Sequence, residues 1–247
     1  MNDAGAAEPT VVDDVPRWLR GVWRRAWIRF ADGAFDDTES VHWLQCASAM
    51  ADVRIPARGR LFDGVASLAE CDRSLLLHLA QANASTGHTT VRDVVDHDDG
   101  SHTCVAEWHS YGHGLNFQPV VTFPEPGLLH VLPGGTVMRE RAPSGAYEEE
   151  WHLVAGTAER QERRLLPDGS ELFVAGPVAV LARDRSLQPP RPEPLSALAG
   201  SVDLARGTIE ALLEMEFSVA EQSDDGSYRI IRSTLPWREG SNLDVPS

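Results

Sequence analysis

One segment of the sequence combines aromatic rings with a carboxylate at alternating positions. Ala146 to Ala155 follows a two-residue period typical of a β-strand, so Tyr147, Glu149 and Trp151 share one face. The opposite face holds two glutamates and His152, a composition typical of a solvated surface. Aromatic rings around a single carboxylate are typical of a ligand pocket. We therefore expect the face of Tyr147, Glu149 and Trp151 to point inward.

Such a carboxylate could transfer protons. Enclosure by aromatic walls desolvates a carboxyl group, which raises its pKa and suits general acid or base chemistry near neutral pH. Glu149 is one candidate, and Glu140, on the preceding predicted strand with Met138, is the other if the register brings them together. The alternative is a carboxylate paired with an inward arginine for structure, and the sequence leaves both open.

A second candidate group lies on the predicted strand Ala49 to Ile55. Asp52 and Arg54 share one face of this strand, and Val53 lies on the other. The charged pair either faces water or lies inside a polar-lined cavity. In the second case Arg54 would bind an anionic ligand group through its planar guanidinium, and Asp52 would orient Arg54 or act as a base.

The candidate residues fall into two sets. The catalytic candidates are Asp52, Arg54, Glu140 and Glu149; the ligand-binding candidates are Trp43, Gln45, Trp108, His109, Gln118, Tyr147 and Trp151. Four of the nine histidines fall between residues 97 and 113, but no cysteine completes a ligand set, so we expect no metal site and no cofactor. Gly-x-Ser-x-Gly, Walker and dinucleotide-binding motifs do not occur.

Composition limits the partners. The net charge of −15 repels nucleic acid and anionic lipid surfaces, so we expect neither as a partner. Three cysteines without CxxC spacing indicate a reducing compartment. The acidic start lacks the features of a signal peptide, and no stretch approaches 18 apolar residues. We therefore expect a cytoplasmic protein whose partner is a small organic ligand, with a homodimer left open.

These residues require a β scaffold to position them. About ten short segments with two-residue periodicity, separated by turn signals, predict a mostly β, antiparallel, closed or nearly closed barrel with one or two short helices. The apolar spacing from Ser67 to Ala84 predicts a helix between strands. Residues 1–15 are expected to form a disordered acidic tail, and residues 16–247 a single barrel domain with a proline-rich loop at 188–194.

Two resemblances accord with this fold. Gly21-Val22-Trp23 resembles the Gly-x-Trp that opens lipocalins, which implies a tryptophan packed under an arginine from the final strands, here within Tyr228 to Arg232. Over nearly the whole chain, runs such as Ala51 to Pro56, Tyr147 to Trp151 and Ser233 to Gly240 resemble uncharacterised bacterial lipocalin-like proteins, similar in outline to the calycin-like fungal HRI1 proteins. These resemblances imply that the barrel is a lipocalin-like (calycin-type) β-barrel and that the protein is cytoplasmic, and they assign no reaction.

Three functions stay open from the sequence. The first is an enzyme for non-redox acid–base chemistry, such as cyclisation, isomerisation, hydration or elimination, on a small, largely apolar metabolite. The second is a carrier or sensor of a hydrophobic ligand, and the third is a protein-interaction module with a filled barrel. An aromatic-walled cavity containing Glu149, Glu140 or Arg54 favours the first two, and a raised pKa on an inward glutamate favours the enzyme.

Overall fold

The computed structural model describes residues 14–245, which form two antiparallel β-sheets and three short α-helices. The first sheet contains β1 (Gly21–Phe30), β2 (Phe35–Asp36), β3 (Ser40–Gln45), β4 (Ala49–Ile55), β5 (Asn83–Asp96), β6 (His102–His109), β7 (Gly127–Val131), β8 (Val137–Arg141) and β9 (Tyr147–Leu153). The second contains β10 (Gln161–Leu165), β11 (Glu171–Ala175), β12 (Val178–Arg183), β13 (Glu216–Gln222), β14 (Tyr228–Ser233) and β15 (Asn242–Leu243). The helices are α1 (Arg73–Leu79), α2 (Leu195–Gly200) and α3 (Arg206–Leu213).

The first sheet closes into an eight-stranded barrel. Its strands follow the order β1, β3, β4, β5, β6, β7, β8, β9, and β9 then pairs with β1, so that Trp23 lies opposite Leu153 and Phe30 opposite Tyr147. The two-residue β2 pairs only with the end of β1. Closure leaves no free edge along the barrel strands, which satisfies their backbone groups. The predicted mostly β, lipocalin-like barrel is confirmed.

One part of the barrel interior is filled with apolar side chains. They form a single cluster that includes Leu19, Trp23, Val91, Leu129, Val131 and Met138. Next to it a 3₁₀ turn at Arg17–Leu19 precedes β1, and the indole Nε1 of Trp23 donates to the carbonyl of Leu19 at 2.8 Å. The periodicity places alternate residues of each strand in this interior.

The outer face of part of the barrel is also apolar, and the second sheet covers it. Val22, Leu44 and Val53 point outward and belong to one buried cluster with Phe173 and Phe217 of the second sheet and with residues of all three helices. We expected all strands to share one barrel, whereas β10–β15 form a separate sheet packed on it. Two-residue periodicity identifies a strand but not the sheet it joins. Only tertiary packing decides that.

The helix predicted from Ser67 to Ala84 is shorter in the structure. A 3₁₀ turn at Leu68–Glu70 precedes it, and the Asp72 side chain caps α1 by accepting a hydrogen bond from the Leu75 N–H at 2.9 Å. The chain enters β5 at Asn83, so the predicted helix ran into a strand. Three α-helices form where one or two were expected.

Two further expectations concern the ends of the chain. Of the predicted tail, residues 1–13 lie outside the described range, while Val15 is buried and its N–H donates to the Ala47 carbonyl. Arg229 and Arg232 are exposed on β14 of the second sheet, so the closure of the barrel by an arginine from this segment was a wrong expectation. Among residues 14–245, no helix is long and apolar enough to cross a membrane.

Candidate functional site

A cavity of about 520 Å³ lies within the barrel and extends to the segment that joins β6 to β7. This volume is within the range of small-molecule sites. Its wall combines aromatic and acidic side chains: Trp43, Trp108, Phe123, Tyr147 and Trp151, with Asp52, Glu107, Glu125 and Glu140. Arg54 contributes the one guanidinium among the described lining residues. The interior is therefore not completely filled, unlike that of a purely structural barrel.

Strand register brings the predicted residues together. Met138 pairs with Trp151 and Glu140 with Glu149 across β8 and β9, while Trp43 pairs with Asp52 across β3 and β4. Directly opposite residues share a face, so each pair points inward once one member does. Tyr147, Glu149 and Trp151 are all buried, as the alternation predicted. His152, on the other face of β9, is exposed.

Glu140 is buried against the cavity and carries one hydrogen bond from a neighbour. The Tyr147 hydroxyl donates to its Oε1 at 3.0 Å, and only 3% of Glu140 is exposed. Burial, followed by the nearby charge of Glu149, raises the pKa of Glu140 to about 8. Burial also raises the pKa of Tyr147, so its hydroxyl remains a donor across neutral pH. Glu140 can thus hold a proton at neutral pH and still lose it under mildly basic conditions.

Glu149 is held by arginines instead. Arg25 donates from Nη1 to Glu149 Oε1 at 2.8 Å and from Nη2 to Glu39 Oε2 at 2.7 Å. Arg54 Nη1 lies 3.5 Å from the same Glu149 oxygen. Arg25 was not among the residues predicted from the sequence, although its position two residues after Trp23 was a signal that its side chain shares the inward face. This arrangement matches the structural alternative for Glu149 and leaves Glu140 as the carboxyl without a cationic hydrogen-bond partner.

Asp52 and Arg54 lie in the cavity wall, which is the second of the two options for this strand. Arg54 Nε donates to Asp52 Oδ2 at 2.8 Å, and its guanidinium lies 4.5 Å from the centroid of the Phe123 ring. Burial alone would lower the pKa of Arg54, but the carboxylates of Asp52 and Glu149 raise it above its ordinary value. Because both carboxylates already neutralise Arg54, the structure does not favour its predicted role as an anchor for an anionic ligand.

Two predicted ligand-binding glutamines are structural. Gln45 is fully buried, accepts a hydrogen bond from Thr89 Oγ1 at 2.6 Å and donates to the Cys46 carbonyl. Gln118 donates to the carbonyls of Ala80 and Ala82, and its Oε1 accepts from the Leu195 N–H at 3.0 Å. Neither lines the cavity. Their amide groups form hydrogen bonds with the backbone or with Thr89, so the prediction that both residues bind the ligand was wrong.

Trp108 and His109 lie on opposite faces of β6, as the alternation requires. Trp108 points inward and meets Trp43 edge to face, with ring centroids 5.7 Å apart. His109 borders the cavity, but its ring stacks on His88, and its Nε2 lies 2.8 Å from Thr90 Oγ1. The structure therefore does not bring the His109 ring to the buried carboxyl groups.

Gly127, which was not among the residues predicted from the sequence, leaves space for Trp108 and Glu140 of the cavity wall. A Cβ at this position would lie 2.5 Å from Cη2 of Trp108 and 3.1 Å from Oε1 of Glu140. Any larger residue would displace the tryptophan, the glutamate or both. No pattern around Gly127 signalled this, because the crowding arises from side chains of β6 and β8.

Several buried polar atoms around the cavity have no partner among the described residues. They are the indole nitrogens of Trp43 and Trp151 and Oδ1 of Asp52, which belong to the cavity wall, and Oε2 of Glu149, the residue opposite Glu140. Unpaired buried polar groups cost free energy, so their concentration at one cavity is characteristic of a site that a bound molecule or water completes. Within residues 14–245, no group of three or more His, Cys, Asp or Glu side chains is arranged to hold a metal ion.

Comparison with known proteins gives no assignment. No family model matches the chain, and neither curated proteins nor solved structures give a significant match. Function is therefore inferred from the geometry of the cavity.

Proposed function

We propose that the barrel binds a small, largely apolar organic molecule and that Glu140 exchanges a proton with it. The observation on which this depends is a carboxyl group that is buried at the wall of an aromatic cavity and that no arginine of residues 14–245 hydrogen-bonds. Burial and the charge of Glu149 raise its pKa to about 8. A group that titrates near neutral pH can act as either acid or base.

The neighbouring residues have distinct roles in this proposal. The Tyr147 hydroxyl, which donates to Glu140 Oε1, fixes the orientation of the carboxyl group. The rings of Trp43, Trp108 and Trp151 provide an apolar surface and exclude water from the ligand. The ion-paired Glu149 keeps Glu140 protonated at rest through its negative charge. Catalysis would therefore depend on Glu140, and binding on the tryptophans.

The proposed reaction class is a non-redox isomerisation, cyclisation, hydration or elimination. In an isomerisation, Glu140 gives a proton to one atom of the ligand and takes a proton from another, in either order, so the enzyme returns to its starting state. The chain contains no lysine, so imine formation with an ε-amine has no side chain to perform it. The kinship with lipocalin-like and calycin-like proteins is part of the same proposal and is supported by the barrel and the buried Trp23 of its first strand.

Binding can be tested with the neutral dye N-phenyl-1-naphthylamine. Tryptophan emission should transfer to the bound dye, because three tryptophans line the cavity. In parallel, the carboxyl carbon of Glu140, assigned by Glu140→Gln, should titrate near pH 8 in ¹³C NMR and shift when the dye binds. Glu148→Gln, a change on the outer face of β9, is the matched control. An ordinary glutamate midpoint near pH 4.5, or dye binding that leaves the Glu140 signal unmoved, would contradict the proposal.

A carrier of a hydrophobic ligand is the second candidate, favoured by the apolar cluster beside the cavity. Turnover separates the two. With 3-cyclohexen-1-one as a probe in D₂O, an enzyme of this class should accelerate isomerisation to 2-cyclohexen-1-one with deuterium uptake. Glu140→Gln should abolish this acceleration, and Glu148→Gln should retain it. A carrier would bind the dye with the same affinity in all three proteins and accelerate nothing.

A further inference from the structure

The acidic and basic side chains around the cavity do not balance, and this imbalance indicates the charge of the ligand. Arg54 is paired with Asp52 at 2.8 Å and lies 3.5 Å from Glu149, while Arg25 is paired with Glu149 and Glu39. Arg54 in the cavity wall and Arg25 behind Glu149 are thus each already in contact with at least two carboxylates. Glu140, in contrast, has no ion-pair partner within the part of the chain that the structure describes.

The aromatic walls add a second, independent observation. The face of an aromatic ring attracts cations, most strongly for tryptophan. Arg54 already uses this attraction, since its guanidinium lies 4.5 Å from the Phe123 centroid and 5.8 Å from that of Trp151. Trp43 meets both Trp108 and Trp151 edge to face, an arrangement that sets the three rings at steep angles around the cavity rather than in one stack.

Unpartnered acceptors provide a third observation. Glu149 is 1% exposed, and its Oε2 has no donor among the described residues; the same is true of Asp52 Oδ1. At the outer part of the cavity, Glu107 and Glu125 add further negative charge. The chain as a whole has a net charge of −15, which concentrates cations near its surface.

We propose that the molecule bound in the cavity is an organic cation, an ammonium group on an apolar body, held by the tryptophan rings and by the carboxylate of Glu140. This inference rests on the proposed function and specifies the ligand class of the same site. An anionic ligand would face the four acidic side chains of the cavity wall, whereas a cation would supply a counter-charge to the Glu140 carboxylate. Binding would release the proton from Glu140, so ligand affinity and Glu140 ionisation are coupled.

The pH dependence follows from the groups that surround Glu140. Tyr147 and Glu149 face it from β9, and Asp52 and Arg54 face it from β4. Behind Glu149 lies one more pair, Arg25 and Glu39. Of these six groups, Tyr147 has a raised pKa and stays neutral, and the others form ion pairs with one another. Because the pKa of Glu140 is raised to about 8, its carboxylate is mostly absent at pH 6.5 and mostly present at pH 9. A cation that does not itself titrate should therefore bind more tightly as the pH rises.

The test compares benzyltrimethylammonium with neopentylbenzene, its neutral isostere, as competitors of the bound dye N-phenyl-1-naphthylamine. We expect the cation to bind at least about tenfold more tightly than the isostere at pH 9, and this ratio to fall about tenfold by pH 6.5. Glu140→Gln should remove the pH dependence and reduce the ratio at pH 9, without changing the affinity of the isostere. Glu148→Gln should leave all of these values unchanged.

The outcomes are distinguishable. Equal binding of the two compounds, tighter binding of the isostere, or failure of both while the dye still binds would overturn the inference and leave the proposed small-molecule function intact. A pH dependence that persists in Glu140→Gln would also overturn it. If the dye itself does not bind the native protein, the proposed function fails and the inference fails with it.

Discussion

Glu140 and Glu149 lie directly opposite each other on β8 and β9 inside the barrel, yet their surroundings differ. Arg25 and Arg54 lie against Glu149, whereas Glu140 receives its hydrogen bond from the neutral Tyr147 hydroxyl. Two carboxyl groups so close together resist simultaneous ionisation. The neighbours therefore decide which of the pair keeps a proton, and the raised pKa of Glu140 identifies it as that residue.

The first prediction concerns the stability of Glu140→Gln as a function of pH. The native state holds the Glu140 proton up to about pH 8, whereas the unfolded chain releases it near 4.5, so the native state binds more protons between these values. Stability of the native protein must then fall as the pH rises through this window. Glu140→Gln has no carboxyl group to titrate and so does not show this loss. The free energy of unfolding of the variant, relative to that of the native protein, should therefore be higher at pH 8.5 than at pH 4.5, by on the order of a few kcal/mol. Urea unfolding of both proteins at both pH values measures this difference. The same difference between variant and native protein at pH 4.5 and pH 8.5 would contradict the prediction.

The second prediction concerns Arg25, which neutralises Glu149. Arg25→Met leaves the Glu149 carboxylate with only the longer contact to Arg54 and should destabilise the fold by about 3–5 kcal/mol. Adding Glu149→Gln should recover part of this loss, because the unpaired charge is removed. Arg24→Met, the exposed neighbour on β1, should change stability by less than about 0.5 kcal/mol. If the Arg25 and Arg24 variants unfold at the same urea concentration, the ion pair is not required.

The third prediction concerns the space beside Gly127. Gly127→Ala places a methyl group 2.5 Å from Trp108 Cη2, so the ring must move into the cavity or the strand must shift. We expect a cost of about 1–3 kcal/mol and weaker binding of N-phenyl-1-naphthylamine. Gly207→Ala is the control, because it adds a methyl group to α3 with nothing within 4 Å and should be neutral or stabilise the protein by up to about 1 kcal/mol. Unchanged dye affinity in Gly127→Ala would show that Trp108 does not limit the cavity.

The fourth prediction concerns the cysteines. Cys46, Cys71 and Cys104 are buried free thiols, and burial raises the pKa of Cys46 and of Cys104 to about 12. The thiolate is the reactive form, so these thiols should react with 5,5′-dithiobis(2-nitrobenzoic acid) only after unfolding. Colour release should be negligible in native buffer at pH 8 and reach three equivalents in guanidinium chloride. A fast native phase of one equivalent would place a thiol at the surface.

Alternation along single strands was enough to predict much of the site. It placed Tyr147, Glu149 and Trp151 on one inward face, since neighbouring side chains of a strand must point to opposite sides. It also paired Asp52 with Arg54, but it could not decide whether that pair faces water. For Gln45 and Gln118 it failed, because hydrogen bonds to distant backbone groups such as the Leu195 N–H leave no trace in local sequence.

What the sequence determined by itself is periodic and local: the strands, the barrel class and the side chains that share a face. What the tertiary structure decided is which strands meet. The second sheet, the register that sets Glu140 opposite Glu149, and the approach of Arg25 to Glu149 all join residues far apart in the chain. The physical reason is that a carboxyl group's protonation depends on charges within a few ångströms, and in this barrel those charges come from separate strands.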